Sequence, residues 1–228
     1  MMRVAEVFYS LQGEGILVGV PSVFIRLAGC PFRCRWCDTA YAWDYSAGEE
    51  LDPAGIVERI SRWSCKFVVL TGGEPLMGPD RAVRPELVDL THRLRALGKH
   101  ITVETAGTLF VPDLACDLIS ISPKLGNSIS TTLHQTAAPA PEPLSRLIAA
   151  YPYQLKFVID SPPDIDEVQE ILEPLGPVDS ERILLMPQAR TREELLARSP
   201  MVAGLCQETG FRFCDRLHIA LWGNERGR

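Results

Sequence analysis

No window of the 228-residue chain approaches the ~20 consecutive apolar residues of a membrane-spanning helix. The opening MMRVAEVFYSLQGEG places Glu6 where a secretory leader is apolar, which speaks against a signal peptide. Basic charge is in short supply. Lys and Arg number 23 against 29 Asp and Glu, a formal net charge of −6. A broad phosphate-gripping face, and with it direct action on nucleic acid, is not expected. An even set of cysteines is missing too: there are seven, and three of them crowd into Cys30, Cys34 and Cys37. That pattern suits a metal site in a reducing compartment, the cytoplasm, better than a disulfide framework. Cys65, Cys116, Cys206 and Cys214 are scattered among apolar residues and read as small buried hydrophobes. No internal repeat is present.

What is there is an alternation. Apolar letters make up 46% of the chain, and a chain of this length buries roughly 70% of its unfolded surface without staples. β-Branched runs at 4–8, 22–27, 66–70, 100–104, 117–122, 154–159, 182–186 and 211–217 predict strands. Several are apolar on both faces, as a sheet covered on both sides requires. Helical spacing falls at 53–63, 85–97, 164–175 and 191–209, the last with a bend near Pro200. Strand–helix–strand repetition implies parallel strands joined by right-handed crossovers. Roughly six or seven of them fit an α/β fold of the incomplete parallel β/α barrel type rather than eight full units. One domain over 1–228 is expected, with an exposed loop at about 126–143, rich in Ser, Thr, Ala and Pro, and a C-terminal tail at about 218–228.

The chemistry concentrates after the second strand, in AGCPFRCRWCDT. Cys30, Cys34 and Cys37 have C-x3-C-x2-C spacing. Three thiolates on a tight loop can each hold one iron of a [4Fe–4S] cubane and leave the fourth open, whereas most electron-transfer clusters take four cysteines. A zinc knuckle completed by a remote ligand is the plainer alternative. Trp36, just before Cys37, offers a flat ring for a purine. Downstream, the next strand ends in Thr71-Gly72-Gly73-Glu74-Pro75, where glycines let backbone approach a ligand.

Cys30-x3-Cys34-x-Trp36-Cys37 followed by Gly72-Gly73-Glu74-Pro75 resembles the radical S-adenosylmethionine (SAM) enzymes. The resemblance implies that SAM chelates the open iron, that one electron cleaves its sulfonium C–S bond, and that the resulting 5′-deoxyadenosyl radical takes a hydrogen from substrate. Further blocks narrow the match: Leu11-Gln12-Gly13-Glu14-Gly15, Asp38-Thr39, Val103-Glu104-Thr105, Ser122-Pro123-Lys124 and the closing Leu217-His218 to Asn224. Together they resemble the 7-carboxy-7-deazaguanine synthase family over nearly the whole chain. What that implies is ring contraction of a small pterin, 6-carboxy-5,6,7,8-tetrahydropterin, with loss of ammonia, in 7-deazapurine and queuosine biosynthesis. A [4Fe–4S] cluster, SAM and Mg²⁺ are the implied cofactors. A homodimer and an electron donor such as flavodoxin or ferredoxin are the implied partners. A glycyl-radical-enzyme activating enzyme shares the triplet but leaves LQGEG and SPK unexplained.

The resemblance assigns residues in groups. Cys30, Cys34 and Cys37 hold the cluster, and no other catalytic residue is assigned. Trp36, Cys37, Asp38, Gly73, Glu74, Glu104, Ser122, Pro123, Lys124 and Gln188 contact SAM, with Glu74 accepting from its ammonium. Leu11, Gln12, Gly13, Glu14, Arg26 and Thr71 contact substrate. Arg26 offers a fork for its carboxylate, and Gln12 and Glu14 read its heterocycle edge. Thr39 goes to Mg²⁺, a weak neutral ligand for an ion that keeps waters. Plainer readings stand beside these: a glycine-rich turn for residues 11–15, a strand Arg–Glu pair for Arg26, loop caps for Asp38 and Thr39, and a solvated charge for Lys124. His218 is left between packing and catalysis. Some family members end soon after the His motif, whereas this chain runs on to Arg228.

Overall fold

The computed structural model describes residues 1–128 and 140–228. Nine strands form one sheet in the order β3-β1-β2-β4-β5-β6-β7-β8-β9. They are β1 (Met2–Leu11), β2 (Pro21–Leu27), β3 (Glu49–Leu51), β4 (Phe67–Gly72), β5 (His100–Thr105), β6 (Leu118–Ile121), β7 (Tyr153–Ile159), β8 (Ile183–Pro187) and β9 (Arg212–Phe213). From β2 through β4 to β9 every neighbouring pair is parallel. The first strand departs from that pattern, since β1 runs antiparallel to both β2 and β3. A short connection explains it: the chain returns from Leu11 to Pro21 without a crossover helix. The sheet curls without closing, a partial β/α barrel.

Helices α1 (Pro53–Ile60), α2 (Pro85–Ala96), α3 (Pro141–Ala150), α4 (Asp164–Leu172), α5 (Arg192–Thr209) and α6 (Leu217–Trp222) complete the chain. Leu87, Leu90 and Leu94 of α2, Leu144 and Leu147 of α3, and Val168 of α4 join Leu70, Val103, Ile121, Phe157 and Leu185 in one buried core. Local chemistry sets the helix ends. The Asp52 side chain accepts from Gly55 N at 2.8 Å ahead of Pro53, and Thr191 accepts from Glu194 N at 3.2 Å.

The structure departs from the sequence expectation in four places. β3 is a three-residue acidic edge strand too short for periodicity to show. The expected loop at 126–143 gives way at its end to α3, whose Pro141 occupies a first-turn position where a missing N–H costs nothing. At its start, residues 126–128 form a 3-10 turn with Ser128 buried, and 129–139 lie outside the described residues. α5 continues through Pro200 as one helix. Of the strand expected at 211–217 only Arg212–Phe213 pairs, and the expected tail begins as α6. Arg216 is the cause: its side chain turns inward to Glu14 and Asp38, and Leu217 N donates to Gly13 O at 2.9 Å.

Candidate active site

Parallel strands deliver their carboxyl ends to one mouth. A cavity of about 460 Å³ opens there. The register aligns its wall. Arg26 pairs with Thr71 across β2 and β4, and Glu104 with Ser120 across β5 and β6. All four side chains line the cavity. So do Leu11 at the end of β1, Gln12, Gly13 and Glu14 just after it, the three cysteines with Trp36, Asp38 and Thr39, and Gly73, Ser122 and Lys124.

The cysteine loop is pinned at several points. Cys30 N donates to Trp43 O at 3.1 Å, Cys37 N to Cys34 O at 3.1 Å, and Arg35 N to Ser128 O at 3.0 Å. Burial pushes the Cys30 thiol up to about 12 and raises Cys34 as well. Beside them the Trp36 indole nitrogen is buried without a partner among the described residues. The ammonium of Lys124 lies 5.8 Å from the Trp36 ring and donates to Ser122 O at 2.9 Å, so it is not a solvated charge. Thr39 precedes a 3-10 turn without capping it, and its hydroxyl stands 3.6 Å from Cys37 Sγ.

At the β2 side, Arg26 Nε donates to Glu6 Oε1 at 2.8 Å. This is the Arg–Glu pair of the plainer reading, yet it is largely buried and faces the cavity. The Tyr41 hydroxyl also donates to Glu6 Oε1, and Arg226 Nε donates to Oε2 at 3.1 Å. Asp38 caps nothing; it pairs with Arg216 at 2.5 Å. Burial alone would raise its carboxyl, but Arg216 holds it below the ordinary range. Glu14 is pressed down in the same way by Lys156 and Arg216.

Three residues expected to contact SAM lie behind the cavity wall. Glu74, Pro123 and Gln188 do not line the cavity. Glu74 is 1% exposed, and its carboxylate accepts from Leu76 N at 3.1 Å, the Thr105 hydroxyl at 2.7 Å and Ala106 N at 2.7 Å. It ties the turn after β4 to the end of β5, with two of the three bonds on Oε1 and one on Oε2. Pro123 and Gln188 are buried behind their neighbours Ser122 and Met186, which do reach the cavity.

Other lining residues were assigned no role from the sequence. Lys156, Arg216 and the segment Asn224–Arg228 belong to the cavity wall. A Lys inside the apolar run of β7 was the available signal. His218 presses its ring onto Gly13, where a Cβ would stand 2.1 Å from Nδ1, and burial lowers its pKa.

The radical SAM superfamily model matches residues 24–136. A 7-carboxy-7-deazaguanine synthase of Pyrobaculum aerophilum is 40% identical, covering 100% of this chain and 97% of its own. Another, from Rhodopirellula baltica, is 37% identical over 99% and 88%. The chain belongs to the 7-carboxy-7-deazaguanine synthase family. The crystal structure of QueE from Escherichia coli superposes with a TM-score of 0.71 at 26% identity, covering 95% of this chain and 94% of that one.

Membership in this radical SAM family brings a [4Fe–4S] cluster and SAM, and the residues present fit them. Cys30, Cys34 and Cys37 are free thiols on one cavity wall. Among the described residues no three His, Cys, Asp or Glu side chains converge on a single metal ion. A cubane asks for something else, since each of its irons takes its own thiolate. Gly73 supplies bare backbone at the spot: a Cβ there would stand 2.1 Å from Gly29 O and 2.9 Å from Cys30 Cβ. Gly73→Ala is therefore expected to lower stability by about 1–3 kcal/mol and to reduce iron content, because backbone must move. Melting temperature and iron assay report it; no change in either would mean the strand end has slack.

Among the described residues no helix is long and apolar enough to cross a membrane.

Proposed function

We propose that this cavity contracts the ring of 6-carboxy-5,6,7,8-tetrahydropterin to 7-carboxy-7-deazaguanine with loss of ammonia, the step that feeds 7-deazapurine and queuosine synthesis. One observation carries the reading. The cysteine loop, the Arg26 guanidinium and the Gln12–Glu14 segment, far apart in sequence, line a single cavity of about 460 Å³.

Cys30, Cys34 and Cys37 hold the cluster. The cluster and SAM, when bound, supply one-electron chemistry that no side chain performs. Trp36, Asp38, Gly73, Glu104, Ser122 and Lys124 face SAM, with Trp36 against its purine and Glu104 accepting from its ribose. Arg26 takes the pterin carboxylate. Only its Nε is engaged by Glu6, which leaves the terminal nitrogens for two parallel bonds. Thr71 lies beside it on β4. Leu11, Gln12, Gly13 and Glu14 form the edge that reads the heterocycle. Gln12 Oε1 accepts from Glu14 N and its Nε2 donates to Glu104, each at 3.1 Å. That fixes the amide's orientation while one N–H and one lone pair stay free. Glu14 keeps spare lone pairs beyond Lys156 and Arg216 to accept from the pterin amine. His218, kept neutral by burial, packs the same edge.

Mg²⁺ with Thr39 belongs to the proposal, since its hydroxyl lines the cavity wall and the contact with Cys37 Sγ leaves oxygen lone pairs for an ion that keeps its waters. Thr39→Ala is expected to flatten the dependence of turnover on added Mg²⁺; an unaltered titration removes Thr39 from the metal site. A homodimer, a flavodoxin or ferredoxin as reductant, and the cytoplasm, where free thiols stay reduced, complete the reading.

The test uses anaerobically reconstituted protein with SAM, a reductant and 6-carboxytetrahydropterin, and no protein partner. Formation of 7-carboxy-7-deazaguanine and ammonia is expected. No product from protein with an intact cluster overturns the reading in favour of a radical enzyme that acts on another protein.

A further inference from the structure

The buried charges along the cavity wall alternate in sign. Glu104 Oε1 lies 3.9 Å from Lys156 Nζ, and the same ammonium donates to Glu14 Oε2 at 2.6 Å. Glu14 Oε1 accepts from Arg216 Nε at 3.1 Å, and Arg216 Nη2 reaches Asp38 Oδ2 at 2.5 Å. The Lys156 side chain is 4% exposed. Stability alone does not explain it, because a buried ion pair replaced by packed apolar groups is often neutral or better. Arg216 also joins acids of the two ligands, Glu14 and Asp38, but it holds both closely; what sets Lys156 apart is that it touches one of its two acids and stands off from the other. Glu14 is on the segment read above as the substrate edge, and Glu104 is on the strand end read as the SAM side. Gln12 bridges the same two places, donating to Glu104 and accepting from Glu14 N.

We propose that Lys156 is a positioning residue that couples SAM binding to substrate binding. The proposal rests on the assignment of Glu14 to substrate and Glu104 to SAM. The ammonium is held unevenly, close to Glu14 and 3.9 Å from Glu104. Pterin donors on Glu14 take up part of its charge and loosen its grip on Lys156. The ammonium then closes on Glu104 Oε1, which Gln12 already holds, and Glu104 is fixed with its other oxygen free. SAM meets an ordered acceptor. By linkage, SAM must help the pterin by the same factor.

Binding is measured by anaerobic titration calorimetry on cluster-loaded protein without reductant, so that nothing turns over. With wild type, saturating 6-carboxytetrahydropterin is expected to tighten SAM by about 5-fold or more, and SAM to tighten the pterin equally. Lys156→Met, at unchanged iron content, weakens both ligands and brings the mutual factor to about 1, its value for uncoupled sites. Lys156→Arg restores part of it. In the double variant with Glu104→Gln, the loss in SAM affinity is smaller than the sum of the single losses. A lysine that only supported the fold would weaken both ligands and leave the mutual factor intact. Absence of mutual tightening in wild type, or its survival in Lys156→Met, overturns the proposal. Glu104→Gln that binds SAM like wild type, or Glu14→Gln that binds pterin like wild type, overturns the site assignments and the proposal with them. That pattern is separable, because it appears with Lys156 untouched.

Discussion

Anaerobically purified Cys34→Ala protein is expected to lack the cluster and to form no 7-carboxy-7-deazaguanine, while still melting cooperatively. Three thiolates are the minimum that leaves a single iron open, so the loss of one has no substitute within the loop. Nor can another cysteine stand in. Cys65, Cys116, Cys206 and Cys214 do not line the cavity. The fold survives because a buried thiol replaced by a methyl group costs about 0.5–3 kcal/mol against a typical domain stability of roughly 5–15 kcal/mol. The activity does not, since the acceleration an enzyme provides, at least ~10⁶-fold, depends here wholly on the cofactors. Iron and sulfide assays, a melting curve and product chromatography check all three statements. Full iron content with product formation would remove Cys34 from the ligand set.

The second large effect is at Arg26. Arg26→Ala is expected to weaken the pterin by about 2–5 kcal/mol, or some 30-fold to several-thousand-fold in Kd. Iron content and SAM affinity should be unchanged. A charged fork facing a carboxylate inside the cavity leaves an unpaired anion behind when it is removed, and that accounts for the size. Arg26→Lys rescues little, because one ammonium cannot supply two parallel bonds. The pair with Glu6 needs a control of its own. Glu6→Gln disturbs Tyr41 and Arg226 in the same cluster yet keeps the guanidinium. A large substrate defect in Arg26→Ala but not in Glu6→Gln assigns the effect to the carboxylate contact. Wild-type pterin affinity in Arg26→Ala rules that contact out.

Much of this site was legible in sequence because its chemistry is local. Cys30, Cys34 and Cys37 lie on one loop, and the glycines at 72 and 73 follow a doubly buried strand whose end is plain to read. The strands and their parallel order followed from apolar runs on both faces. What local patterns cannot show is which long-range partner a charge will find. Lys156 reads as an intruder in an apolar strand, and only the fold brings it to Glu14, 142 positions away. Glu74 is the opposite case. Its motif pointed to a ligand, but three protein donors converge on its carboxylate from Leu76, Thr105 and Ala106. α3 was hidden by Pro141 and Pro143, which read as loop until Leu144 and Leu147 are seen to face the core.

The cavity edge at Gly13–Gly15 is closed by segments distant in sequence: Gly15 N donates to Cys214 Sγ across 199 residues at 3.0 Å, and Leu217 N to Gly13 O. On a ribosome adding about 5–20 residues per second, Gly15 therefore waits roughly 10–40 s for that partner. The cysteine loop emerges early in this interval, long before the wall that will shelter it. Iron delivered to the nascent polypeptide would meet oxygen and solvent on an unroofed loop. Maturation of the metallocentre is thus best placed after residues 214–217 have docked.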